Sequence, residues 1–132
     1  MGDIDKLMSN YPQFNYQYEP MPQGIDGLNI GNKIIINSKI SHKEQLQWLY
    51  EEIGHAVTSE GNITNYNNQI DSWQEHRARA WGMRHQVPKE ELEKLSKSNV
   101  DNDYEIADDL GVQTEYLHLV GFMYGYHFKE LN

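Results

Sequence analysis

The chain has no cysteine, so disulfides and thiolate metal ligands are both excluded, and any bound metal must be held by His, Asp or Glu. It has no apolar run approaching the ~20 residues of a membrane span. Basic residues are scarce, 11 against 20 acidic ones, for a formal net charge of −9. Such a surface repels phosphate backbones and disfavours direct nucleic-acid binding, while favouring solubility. The first six residues, Met1-Gly2-Asp3-Ile4-Asp5-Lys6, lack the basic and apolar regions of a signal peptide. Lys6 stands where a myristoylation motif wants Ser or Thr. A cytoplasmic protein is expected. Against these absences stand nine tyrosines and 38% apolar residues in 132, enough for one modest core.

The chain marks its own element boundaries. Asp3 can cap a short helix that ends before Pro12, and residues 14–18 alternate in strand fashion. Pro20, Pro22 and Gly24 then break the chain. Two short apolar runs, Gly27-Leu28-Asn29-Ile30 and Lys33-Ile34-Ile35-Ile36, flank Gly31-Asn32, which suits a tight hairpin. The unbroken Ile34-Ile35-Ile36 predicts a strand covered on both faces. Ser41 with Glu44 forms a capping box. The helix it opens should reach Thr58, with Leu46, Leu49, Ile53 and Val57 facing the core.

Gly61-Asn62 closes that region, and residues 63–68 read as a polar loop. Asp71 is expected to cap a second long helix ending near Gln86, with Ala78 and Trp81 turned inward. Pro88 opens a short helix, where its missing N–H costs nothing. Two last helices, 103–110 and 114–128, meet at Gly111 in a helix-turn-helix pattern. The expected fold class is α+β. It has a small antiparallel sheet packed on a helix pair over residues 1–98, and a helical extension over 99–132.

The stretch with most chemical content is Glu51-Glu52-Ile53-Gly54-His55. Residues four apart lie one above the other on a helix, so Glu51 and His55 can address one atom. The zinc-peptidase pattern H-E-x-x-H uses that spacing for two ligands, and the glutamate between them activates a water. Here the pattern reads E-E-x-x-H, and carboxylate oxygen is an acceptable zinc ligand. A third ligand is needed, and the next helix offers Asp71, Glu75 and His76. Glu75 is preferred because it lies within the helix, while His76 is about 100° further round. The expected site is therefore Zn²⁺ on Glu51, His55 and Glu75, with Glu52 as general base. Ordinary alternatives exist for each residue. Glu51 and Glu52 can form a solvated face, His55 can bond a neighbouring carbonyl, and Glu75 can pair with Arg79 at i+4.

The chain resembles the ImmA/IrrE family of phage-associated metallopeptidases, in particular its short phage-type members. The likeness runs through Gly27-Leu28, Asn32-Lys33-Ile34-Ile35-Ile36-Asn37 and Leu49-Tyr50-Glu51-Glu52-Ile53-Gly54-His55. It continues through Thr58, Gly61-Asn62-Ile63, and Glu75-His76-Arg77-Ala78-Arg79-Ala80-Trp81-Gly82 up to Pro88. The tail Tyr104-Glu105-Ile106-Ala107-Asp108-Asp109-Leu110-Gly111-Val112 is also similar to theirs.

The resemblance implies a zincin-like helix pair against a small sheet, a zinc ion, and cleavage of a phage or mobile-element repressor. Two positions depart from the family pattern. Glu51 stands at the first motif histidine, and in the second-helix E-x-E-A pattern Glu75 fills the first acidic place and Arg77 the second. Two other functions remain open: a catalytically inactive, repressor-binding antirepressor of the same fold, and a DNA-binding regulator. The second helix of the terminal pair has no Lys or Arg before Lys129, which disfavours groove binding.

Overall fold

The most apolar run of the chain takes the middle of the sheet. In the computed structural model, which describes residues 2–58, 68–98 and 102–126, β3 (Lys33–Asn37) lies between β1 (Asn15–Glu19) and β2 (Gly27–Ile30). Ile34, Ile35 and Ile36 are all buried, as an unbroken apolar strand requires. The hairpin forms where expected: β2 pairs antiparallel with β3, and Gly31 in the turn has φ +61°. The sheet as a whole is mixed rather than antiparallel, because β1 pairs parallel with β3, Tyr16 beside Ile34 and Tyr18 beside Ile36.

Placing the isoleucine strand at the centre leaves the more polar β1 and β2 as edges. The β1–β2 connection must then cross the end of β3. Asn37 secures that crossing. Its Oδ1 accepts from Met21 N at 3.1 Å and Lys39 N at 3.0 Å, and its Nδ2 donates to Ile25 O at 2.9 Å. A buried side-chain amide with its groups satisfied in this way holds an otherwise irregular segment.

By its contacts the chain divides into two units, Met1–Gly82 and Met83–Asn132. In the first, α2 (His42–Thr58) packs on the sheet, α1 (Asp3–Asn10) packs on α2, and α3 (Asn68–Gln86) begins. Ile4 and Leu7 of α1, Ile34 and Ile36 of β3, and Leu46, Leu49 and Ile53 of α2 form its core. Val57, expected to continue the α2 stripe, is instead 40% exposed in the last turn. Asp3 is the first residue of α1, not its cap, and Gly2 holds the cap position without a side-chain bond. Asp71 likewise lies inside α3, which starts three residues earlier than its sequence signal. Of the expected loop at residues 63–68, Asn68 instead begins α3, and residues 63–67 lie outside the described residues.

Ser41 caps α2 as the capping box predicts. Glu44 N donates to Ser41 Oγ at 3.2 Å, and the hydroxyl donates on to Glu44 Oε1 at 2.9 Å. Ser41→Ala should cost about 1 kcal/mol, read as a lower urea midpoint with an unchanged slope.

In the second unit, α4 (Lys89–Ser98), α5 (Asp103–Leu110) and α6 (Thr114–Met123) enclose Val87, Leu92, Ile106, Val112, Leu117 and Val120. Leu92 and Leu95 thus place α4 with the terminal helices, although the sequence groups it with the preceding ones. Asn102 caps α5 by accepting from Glu105 N at 3.1 Å. α6 stops at Met123 rather than near 128, because Gly125 adopts φ +86°. Its N–H bonds Phe122 O, and that of Tyr126 bonds Gly121 O, which closes the helix end. Residues 127–132 lie outside the described residues. Tyr124 donates to Val87 O at 2.7 Å, and Tyr126 donates to Glu93 Oε1 at 2.6 Å. Among the described residues no helix is long and apolar enough to cross a membrane.

Candidate metal centre

One turn of α2 supplies Glu51 and His55, and the facing turn of α3 supplies Glu75. A ligand atom from each lies within 4.8 Å of the others. His55 Nε2 and Glu75 Oε2 are 3.3 Å apart. Donors on a tetrahedral zinc at ~2.0–2.2 Å stand roughly 3.4 Å from one another. The His55–Glu75 pair already has that spacing, and Glu51 needs only a small side-chain movement to match it. The donor set of two oxygens and one imidazole suits zinc and requires no thiolate. His76 and Arg77 are exposed and stand outside the group. The side chain of Asp71 lies outside the described residues.

The solvated-face alternative for the two glutamates does not hold. The Glu51 side chain is 13% exposed, and Glu52 is buried. Burial raises the Glu51 carboxyl above its ordinary value; the Arg79 guanidinium opposes that rise without cancelling it. Arg79, which could have paired with Glu75 along its own helix, reaches across to α2 instead. Its Nε donates to Glu51 Oε1 at 3.3 Å.

Glu52, the next residue of α2, lies against β2 in the seam between helix and strand. Burial pushes its carboxyl up to about 7, and the neighbouring Glu51 and Glu75 add to the rise. It fits there because β2 offers no side chain at Gly27: a Cβ at that position would stand 3.0 Å from Glu52 Cγ. Asn29, two residues on and on the same face of β2, donates to the Glu52 carbonyl at 2.8 Å and ties strand to helix.

Two helix glycines let α2 and α3 approach. A Cβ on Gly54 would meet Ala78 O at 2.5 Å, and one on Gly82 would meet Glu51 N at 3.3 Å. Sequence reasoning missed Gly27, Asn29, Gly54 and Gly82 as parts of the site. A glycine and an asparagine alternating along a short strand were the available signal for the first two. Glycine inside an otherwise regular helix was the signal for the others.

Residues 8–119 match the model of the Peptidase_M78 family, described as the IrrE N-terminal-like domain. The match takes in the sheet, α2 and its E-E-x-x-H turn, α3 with Glu75, and most of α6. No curated protein matches the chain.

Proposed function

The chain belongs to the Peptidase_M78 (ImmA/IrrE) family, and we propose that it is a zinc-dependent endopeptidase that cleaves a phage or mobile-element repressor. The observation that carries the reading is the convergence of Glu51, His55 and Glu75, with a buried, protonatable Glu52 on the adjacent helix position. Zinc held by those three residues would supply a Lewis acid that polarises the scissile carbonyl.

The chain's own part falls to Glu52. Its carboxylate takes a proton from the attacking water as the new C–O bond forms. It then delivers that proton to the departing amine nitrogen as the C–N bond breaks. A carboxyl held near 7 can do both, being ionised often enough to accept a proton and acidic enough to return it. Gly27 leaves the space that side chain occupies, and Asn29 ties the Glu52 backbone to β2.

The test is zinc binding by protein without a histidine tag, followed by incubation with purified phage or mobile-element repressor proteins. About one zinc per chain is expected. His55→Ala or Glu75→Ala should each weaken binding by more than the roughly 100-fold seen when a supporting residue is lost. Repressor fragments appearing only with the zinc-loaded protein support the endopeptidase. The Glu51–Arg79 pair favours one competing reading, a metal-free antirepressor that binds without cutting. Absence of zinc uptake with retained repressor binding would decide for it.

A further inference from the structure

We propose that Arg79 is a positioning residue of the metal centre: paired with Glu51, it lets a carboxylate serve where H-E-x-x-H places a histidine. The inference rests on the metallopeptidase reading above.

Two cross-helix pairs face each other like rungs. His55 of α2 meets Glu75 of α3 at 3.3 Å, and one turn away Glu51 of α2 meets Arg79 of α3, also at 3.3 Å. Each helix contributes residues four apart, so both rungs lie on the one face where the helices meet. The Arg79 pairing and the ligand cluster coexist, since Glu51 still offers an oxygen within 4.8 Å of the His55 and Glu75 donors.

The charges explain the need for Arg79. Two histidines and a carboxylate carry one negative charge around a divalent ion. Glu51, neutral His55 and Glu75 carry two, with Glu52 adjacent in a buried setting. A guanidinium on Glu51 restores the total to one. It also fixes the carboxylate's rotation, as hydrogen bonds to the outer atoms of metal ligands generally do. The pair is not a wholly exposed one whose loss would pass unnoticed, because the Glu51 side chain is only 13% exposed.

The test is zinc affinity, measured by competition with a chromophoric chelator, in four proteins: native, Arg79→Gln, Glu51→His, and the two changes combined. Arg79→Gln should weaken zinc binding about 10- to 100-fold. In the Glu51→His background the same change should bring no loss, because a neutral imidazole needs no counter-charge. Circular dichroism of the metal-free proteins checks that folding is retained. Should Arg79→Gln fail to fold, Arg79→Lys, which keeps the charge without the Nε placement, is read in its stead and should still bind more weakly than native. Unchanged or tighter binding by the single variant overturns the inference and leaves the metallopeptidase reading intact. An equal loss in both backgrounds also overturns it, since Arg79 would not then act through Glu51. A native protein that takes up no zinc overturns both readings.

Discussion

Glu52→Gln is expected to reduce peptide-bond cleavage by about 10²- to 10⁴-fold, the range for losing a general acid–base group. Zinc affinity should change little, because Glu52 stands outside the ligand group. The same substitution should make the metal-free protein more stable at alkaline pH, and the sign follows from the carboxyl's displacement. Its ordinary value of 4.5 applies in the unfolded chain, and burial raises it to about 7 in the fold. Below 4.5 both states hold the proton and the native fold suffers no penalty. Between those two pH values the native state binds a proton that the unfolded state has released. Stability therefore falls as pH rises through that window, and the loss is complete above 7.

For a shift of this size the loss is on the order of 3 kcal/mol. Glu51, raised in the same direction, adds to the slope and remains in the variant. Melting curves of native and Glu52→Gln protein in a chelator should thus diverge with rising pH, the variant melting higher at pH above 7. A variant that loses activity while gaining stability has lost chemistry and not structure. Retained cleavage would remove Glu52 from its catalytic role, and coincident melting curves at every pH would remove its burial penalty.

The chain's local signals carried much of this architecture. Ser41 with Glu44 announced the start of α2, Gly31-Asn32 the hairpin, and Ile34-Ile35-Ile36 the central strand. Spacing four along α2 brought Glu51 and His55 to one place, and Glu75 was the acidic residue of α3 that reached it. Strand order was less legible. Parallel pairing of β1 with β3 depends on which strand is apolar enough for the centre, and on Asn37 tying down the crossover. The Arg79 pairing between helices was not legible. Arg79 has an acidic neighbour on its own helix and another across the interface, and only the helix separation decides between them. That separation is set by residues with no side chain to attract notice.

Gly54→Ala is accordingly expected to be the most damaging single-methyl change in the first unit. In an ordinary helix interior alanine is preferred over glycine by ~1 kcal/mol. Here the added carbon would lie 2.5 Å from Ala78 O and 3.2 Å from both Ala78 C and Trp81 Cε3. The closest atom is backbone and cannot rotate away, so α2 and α3 must move apart. Overpacking of this kind costs roughly 1–3 kcal/mol and occasionally more. With a backbone obstacle we expect a net loss of about 2–3 kcal/mol, read from urea midpoints.

Separation also lengthens the distance from Glu51 and His55 to Glu75, so zinc affinity should fall although no ligand has changed. Gly82→Ala is the graded comparison, since its added carbon would meet Glu51 N and Tyr50 C at 3.3 Å, a contact relieved by a few tenths of an ångström. It should lose less stability and keep more of the zinc affinity. A gain in stability at Gly54, as helix propensity alone requires, would mean that the two helices have room to spare. The close approach would then not be what holds the ligand turns together.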